Sequence, residues 1–300
     1  MQTWVLITLL AAAVQTVRFS LQKGLKGIGL STGGATFSRF LYAAPLAAAG
    51  SAFLIWRSGQ GMPALDARFW AFAVAGGLGQ IIGTFCTVAL FSERSFAVGI
   101  AFTKTETVQV ALFSGVVLGD HISAWGFVAI LLGVAGVILL SRPPKLAGVA
   151  RGSVFNKATA LGLLAGGFLG LSAISYRGAT LAIDTPDDLL RAALALACVT
   201  TFQTVAMMVW LGWREPGQVL RVLKAWRATV LVGVTGVLGS LGWFAAFTLE
   251  NAAYVRSVGQ VDLVFGFLIS VLVFHERVRP VEVLGIALLV LGIVLIVTIA

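Results

Sequence analysis

Ten apolar segments of about twenty residues follow one another along this chain, with only short connections between them. A helix needs about 20 mostly apolar residues to cross the hydrocarbon core of a bilayer. Glycine and proline stand in the connections, as in Gly59-Gln60-Gly61-Met62-Pro63, where they end helices. The pattern predicts an all-α integral membrane protein with ten transmembrane helices. The predicted spans are residues 3–21, 35–56, 69–91, 96–118, 125–140, 158–183, 189–211, 229–249, 252–274 and 281–299.

Charged residues make up only 11% of the 300 residues, against about 25% in soluble globular domains. The net charge of +9 comes from basic residues scattered singly through the connections, so nucleic acid is not an expected partner. The chain has no P-loop and no G-x-S-x-G or H-E-x-x-H motif, and neither histidine has the companions of a metal site. We therefore expect a protein that is not an enzyme and has no cofactor or bound metal. Its expected partners are the lipid bilayer and a small-molecule substrate.

The two halves of the chain resemble each other. Sliding one half by 156 positions aligns Lys104 with Gln260, Glu106 with Asp262 and Gly136 with Gly292. With small changes of offset, Gln22-Lys23-Gly24 matches Tyr176-Arg177-Gly178, and Arg39 matches Arg191. We therefore predict two five-helix repeats, residues 1–145 and 146–300. An odd number of spans per repeat inserts the second copy upside down, an arrangement typical of secondary transporters with a substrate site near the midplane.

Ionisable residues stand near the middle of two predicted spans, in Thr103-Lys104-Thr105-Glu106 and in Val258-Gly259-Gln260-Val261-Asp262. A charge at that depth costs about 2.5–3.5 kcal/mol on insertion scales, so such residues normally face a bundle interior or a water-filled cavity. We predict that Lys104, Glu106, Gln260 and Asp262 face a central cavity, where opposite charges could hold a zwitterion. A carboxylate there could also carry a coupling proton. The alternative is structural pairing across the bundle, Lys104 with Asp262 and Glu106 with Arg256.

Several further residues are candidates for the same cavity or for its gates. Five residues, Gln15, Gln80, Phe168, Trp243 and Tyr254, could line a cavity that accepts an apolar or aromatic group, although core or lipid packing is the simpler explanation for the aromatic rings. Arg39 and Arg191 lie near the starts of the second and seventh spans. Arginines at such positions usually extend to the membrane interface, but the match between them leaves a gating role open.

The ten spans, the duplication, Leu21-Gln22-Lys23-Gly24 after the first span, and the turn Leu118-Gly119-Asp120-His121 resemble the EamA-type branch of the drug/metabolite transporter superfamily. Val258-Gly259-Gln260 is similar to the amino-acid exporters of that family. The resemblance implies a ten-helix exporter of small metabolites that works by alternating access. Three features depart from the family pattern: Gln15 replaces a Trp-type position, Thr107 and Leu263 replace mid-helix prolines, and Lys104 and Glu106 replace aromatic residues. An aromatic substrate therefore does not follow.

The expected function is that of a secondary transporter exporting amino acids or similar small metabolites across a bacterial-type inner membrane, as a monomer or homodimer. The alternatives are efflux of amphipathic cations or drugs and, from a different class, a non-transporting membrane enzyme or partner protein. Orientation is predicted in two ways. Five basic residues fall on the side of the termini and fifteen on the opposite side, which places the termini outside, whereas the family resemblance places them in the cytoplasm. We adopt the charge-based prediction.

Overall fold

The computed structural model of the protein describes residues 2–59, 61–90, 103–140, 157–265, 267–268 and 280–299. Eleven helices have defined bounds in these parts of the chain, and residues 262–265 and 267–268 are also helical. In chain order they are α1 (Thr3–Gly27), α2 (Thr32–Ser58), α3 (Ala67–Leu90), α4 (Glu106–Leu118), α5 (Ala124–Leu140), α6 (Lys157–Leu181), α7 (Asp188–Arg214), α8 (Gln218–Lys224), α9 (Trp226–Leu249), α10 (Ala252–Gly259) and α11 (Pro280–Ile299).

Seven of the described helices are long and apolar enough to cross a membrane: α1, α2, α3, α6, α7, α9 and α11. Helices α4 and α5 are apolar but shorter. The helical, apolar character of a membrane protein agrees with the sequence prediction. Residues 96–102 and 269–274, which belong to the fourth and ninth predicted spans, lie outside the described residues.

Two helix boundaries differ from the prediction, at the end of α1 and before the eighth predicted span. Helix α1 continues to Gly27, beyond the predicted end at residue 21, because Lys23 and Lys26 are good helix formers despite their charge. Before the eighth span the chain forms the short α8, whose Val222 is buried while its two basic residues lie in the last turn.

The fourth and ninth predicted spans are not continuous helices. Lys104 and Thr105 form a turn directly before α4, and Gln260 and Val261 form a turn directly after α10. In the second turn the backbone N–H groups of Gln260 and Val261 bond to carbonyls three residues back, at 3.2 and 3.1 Å. This tighter 3₁₀-type bonding often marks a functional position inside a helix. The two turns are 156 residues apart.

Helices α1 and α9 pack antiparallel through small residues. A Cβ placed on Gly242 would lie 2.9 Å from Ala11 Cβ, one on Gly239 would lie 3.5 Å from Val14 Cγ1, and one on Gly236 would lie 3.8 Å from Arg18 Cδ. Helices α3 and α6 pack antiparallel in the same way, with Gly76 and Gly79 against residues of α6. Small residues allow this close approach in membrane bundles.

Helices α5 and α11 make a reciprocal contact. A Cβ on Gly136 would lie 2.5 Å from the carbonyl oxygen of Gly285, and one on Gly292 would lie 2.8 Å from the carbonyl oxygen of Ala129. Gly136 and Gly292 are 156 residues apart, and so are Ala129 and Gly285. The first contact therefore becomes the second when the halves are exchanged, in an antiparallel helix pair.

Candidate functional site

A cavity of about 750 Å³ lies inside the helical bundle. Its walls come from α1, α2, α3, α4, α6, α9 and α10, and from the two turns at Lys104 and Gln260. Ligand pockets usually measure about 300–1,000 Å³, so a small metabolite fits. Nine residues predicted from the sequence for the cavity or its gates line it: Gln15, Arg39, Gln80, Lys104, Glu106, Trp243, Arg256, Gln260 and Asp262.

Lys104 and Asp262 form an ion pair across the cavity. The Lys104 Nζ donates to both carboxylate oxygens of Asp262 at 2.9 Å. The two side chains are 17% and 13% exposed, so water reaches both. Each residue is held beside one of the two turns, which places charges from the two halves of the chain opposite each other.

Glu106 and Arg256 form the second ion pair, and both side chains are largely buried. The Arg256 guanidinium also lies 5.0 Å from the ring centroid of Trp243, within range of a cation–π interaction. The indole N–H of Trp243 in turn donates to Gln15 Oε1 at 3.1 Å. Both cross-bundle pairings weighed in the sequence analysis are therefore present.

Gln260 lines the cavity, and one of its side-chain atoms, the acceptor Oε1, has no hydrogen-bond partner among the described residues. Its side-chain nitrogen donates to the Thr107 hydroxyl, whereas its Oε1 is buried without a hydrogen-bond donor among the described residues. An acceptor in this condition carries a desolvation cost until a donor reaches it. Because this oxygen is itself buried, a bound molecule would reach it only if the turn at Gln260 moved.

Arg39 lies inside the cavity and not at the membrane interface, which corrects the expectation for an arginine near a helix start. It is only 7% exposed. Its Nη1 donates to Thr84 Oγ1 at 3.1 Å and its Nη2 to Ser240 Oγ at 3.2 Å. Gln80 donates to the same Thr84 hydroxyl at 3.0 Å and accepts from Ser172 at 3.1 Å, so α2, α3, α6 and α9 share one polar network.

Arg18 is a cavity residue that the sequence analysis did not select. It is 3% exposed, and its Nη1 donates to Gln22 Oε1 at 2.5 Å. Its position inside the first span was the available signal, since an ionisable residue within an apolar helix points to an internal site. Tyr176, Thr84 and Ser240 also line the cavity and had no distinguishing sequence signal.

Three predicted residues do not line the cavity, and one of them is Tyr254, which is buried on α10. Phe168 is half-buried on α6, one residue before the lining residue Leu169. Arg191 lies in the first turn of α7, where it donates to the Ile183 carbonyl at 3.2 Å and to Asp188 at 3.3 Å. Its side chain is 25% exposed, so it is a residue of the helix end and not of the cavity.

One end of the cavity is closed by packed rings and a network around Arg177. Tyr176 and Phe244 stack with their ring centroids 4.2 Å apart. Beyond them, Arg177 pairs with Asp120 at 3.1 Å and donates to the carbonyls of Phe247 and Glu250 at 2.8 and 2.6 Å. One guanidinium thus joins the ends of α4, α6 and α9.

The other end of the cavity reaches the surface of the protein. Lys23 is exposed and lines the cavity. Because α1 and α9 are antiparallel, Lys23 and Phe247 lie at opposite ends. Among the described residues, the cavity therefore reaches the surface near the C-terminal end of α1, whereas the packed rings and the Arg177 network lie near the C-terminal end of α9.

Comparisons with known proteins show similarity to transporters over part of the chain. Residues 156–298 match the EamA-like transporter family. The chain is 24% identical over 195 residues to the human protein named solute carrier family 35 member G1. This alignment covers 62% of this chain and 51% of that protein. The chain thus spans about half the length of this curated relative.

A solved crystal structure has the same fold. It superposes with a TM-score of 0.70 at 15% identity, covering 100% of this chain and 97% of the other. At that identity the likeness concerns the fold alone. The family that residues 156–298 match is described as a transporter family.

Proposed function

Since residues 156–298 of this chain match the EamA-like transporter family, we propose that the protein is a secondary transporter that exports amino acids or similar small metabolites by alternating access. The observation that carries this proposal is the cavity of about 750 Å³, polar and charged inside a bundle of apolar helices. Side chains of that kind are costly at membrane depth unless they serve a pathway. The proposed location is a bacterial-type inner membrane, and a monomer or homodimer would suffice.

Alternating access is supported by the contrast between the two ends of the cavity. A carrier must expose one site to each side in turn and never to both at once. The described residues have the form expected of one such state, open at Lys23 and closed at Tyr176 and Arg177. In the opposite state the Arg177 network would open and the Lys23 end would close.

The proposal of ten spans in two inverted repeats, residues 1–145 and 146–300, is supported by the contact between α5 and α11. Gly136 and Gly292 exchange roles there, each against the backbone of the other helix. Exchanging the two halves turns the Gly136 contact into the Gly292 contact. For two antiparallel helices, the rotation that does this is a two-fold rotation about an axis perpendicular to both helices. For helices that cross a bilayer, that axis lies in the membrane plane, as in inverted-repeat transporters. The two turns 156 residues apart lend further support.

We assign Lys104, Glu106, Gln260 and Asp262 to the substrate path. Lys104 and Asp262 connect the two turns, so their pairing depends on how the halves are placed. Glu106 is held by Arg256, and Gln260 lines the cavity beside Asp262. Broken helices that carry such groups at a midplane site are a recurring feature of secondary transporters.

Efflux of amphipathic cations, the second transport hypothesis, has less support. The two cavity carboxylates, Glu106 and Asp262, are each already paired with a basic residue. The remaining lining charges include Arg18 and Arg39, which repel a cation.

The test is counterflow in proteoliposomes made with purified protein and a panel of labelled amino acids and other small metabolites. We expect exchange of at least one amino acid or related metabolite, and loss of that exchange in Asp262→Asn. Asp184→Asn is the matched control, because Asp184 is exposed in the loop after α6 and outside the cavity. Folded wild-type protein that exchanges no compound of the panel would contradict the proposal.

A further inference from the structure

Two arginines lie close together in the part of the cavity between the Lys23 end and the two ion pairs. Arg18 is on α1 and Arg39 is on α2, and both approach the same glycine of α9. A Cβ on Gly236 would lie 3.3 Å from Arg39 Cγ and 3.8 Å from Arg18 Cδ. The two side chains therefore lie next to each other, although both are positively charged and both are buried.

The polar partners of the two guanidinium groups are neutral. Arg18 donates to Gln22, and Arg39 donates to Thr84 and Ser240. No carboxylate among the described residues forms an ion pair with either arginine. The other charges of the cavity interior, in contrast, form the pairs Lys104–Asp262 and Arg256–Glu106.

This difference leaves a local excess of positive charge in the cavity. Arginine stays protonated in proteins, so neither group can avoid the charge by losing a proton. Two like charges buried side by side are costly without an anion between or beside them. A guanidinium presents its N–H groups in a planar fork that matches a carboxylate, which makes an arginine pair a suitable receptor for one or two carboxylate groups.

We propose that Arg18 and Arg39 form the subsite that binds a carboxylate of the transported metabolite, and that the protein therefore prefers small organic anions over zwitterions and amines. This inference rests on the proposed transport function and names its substrate class. The carboxylate lies within reach of both arginines, and the rest of the molecule extends toward Trp243 and Gln260. Acidic amino acids and dicarboxylates of similar size meet this description.

A series of four-carbon compounds tests the charge preference without any mutation. Succinate carries two carboxylates, 4-aminobutyrate carries one carboxylate and one ammonium group, and 1,4-diaminobutane carries two ammonium groups on a chain of the same length. The measurements are the shift in thermal stability of the purified protein and the counterflow of each labelled compound. We expect the order succinate, then 4-aminobutyrate, with no effect of 1,4-diaminobutane. Inorganic phosphate, added as a competitor, shows whether the subsite accepts other oxyanions.

Substitution then assigns the preference to the two arginines. We expect Arg18→Gln and Arg39→Gln to weaken succinate binding roughly ten- to a hundredfold, the range for a hydrogen-bonded charged group. Arg39→Lys keeps the charge without the fork and should recover part of the affinity. Arg57→Gln is the control, since Arg57 is an exposed residue near the end of the same helix, α2, and lies outside the cavity.

The outcomes separate this inference from the proposed function. Exchange of 1,4-diaminobutane or neutral amino acids in preference to succinate would overturn the anion preference and leave the transport function in place. Succinate binding that is unchanged in both glutamine variants would overturn the assignment to Arg18 and Arg39. Folded protein that neither binds nor exchanges any compound would contradict both proposals. If the glutamine variants fail to fold, the wild-type series and Arg39→Lys still decide the matter.

Discussion

Arg39 and Arg191 match each other in the two halves of the chain, yet they have different surroundings. Arg39 is buried in the cavity and donates to Thr84 and Ser240, which belong to other helices. Arg191 remains at the start of α7 and contacts Ile183 and Asp188, which are close to it in sequence. The two arginines thus share a sequence position but not an environment.

Gly136 and Gly292 show the opposite behaviour. Each lies against the backbone of the other helix, and the two contacts are equivalent when the halves are exchanged. The contact of Gly136 and Gly292 is repeated when the halves are exchanged, whereas the surroundings of Arg39 and Arg191 are not. A charge that meets a substrate need not have a counterpart in the other half.

The largest effect is expected for the shared packing. A methyl group at Gly136 or Gly292 would meet a backbone carbonyl at 2.5 or 2.8 Å, and a backbone cannot move aside as a side chain can. We expect Gly136→Ala and Gly292→Ala each to lower the free energy of unfolding by about 3 kcal/mol. Unfolding in mixed detergent micelles measures it. Gly50→Ala is the control, because nothing lies within 4 Å of its Cβ position. Clearly unequal losses at the two glycines would argue against equivalent packing.

A smaller effect is expected for a charge that the halves do not share. Lys104 aligns with Gln260, so its pair with Asp262 has no ionic counterpart. We expect Asp262→Asn to cost about 2 kcal/mol of stability, less than for a fully buried pair because water reaches both side chains. Lys104→Gln together with Asp262→Asn should restore the stability but not the transport. A double variant that transports normally would reduce the pair to a structural role.

A more modest effect is expected at Arg256. Lysine at this position keeps the charge beside Glu106 but loses the planar contact with the Trp243 ring, which is 5.0 Å away. We expect Arg256→Lys to lower the free energy of unfolding by about 1 kcal/mol. When both proteins also carry Trp243→Leu, the one with lysine at position 256 and the one with arginine there should have the same free energy of unfolding. A difference that persists without the ring would assign the loss to the Glu106 pair instead.

The smallest effect is expected at Arg191. Its contacts are local and partly exposed, so Arg191→Gln should change stability by less than about 0.5 kcal/mol and leave counterflow unchanged. The matching change, Arg39→Gln, should reduce substrate binding. Equal effects of the two changes on counterflow would contradict the distinction between them.

Much of the site could be predicted from the sequence. Lys104, Glu106 and Asp262 stand in the middle of apolar segments, where the cost of a charge requires a polar environment. In the sequence alone, the 156-residue offset aligns Glu106 with Asp262 and Lys104 with Gln260. Their pairing across the bundle followed as one of the two alternatives.

Arg18 and Arg39 gave weaker signals, because each stands close to the end of its predicted span. The first span was predicted to end at residue 21, but α1 continues to Gly27, which moves Arg18 about 9 Å further from the helix end. An arginine near a helix end usually reaches the interface, and only the neighbouring helices decide otherwise. The turns at Lys104 and Gln260 were also missed, because neither contains proline, the usual signal for a break.

The most direct test of the account asks whether one site is exposed to both sides of the membrane in turn. Ser240→Cys, in a protein with Cys86→Ala and Cys198→Ala, places a single thiol in the cavity beside Arg39. A membrane-impermeant anionic methanethiosulfonate is applied from one side at a time to protein in sealed vesicles. The account predicts labelling from the side of Lys23 and, during exchange with substrate, also from the side of Asp120. Labelling confined to the side of Lys23 under all conditions would contradict alternating access through this cavity.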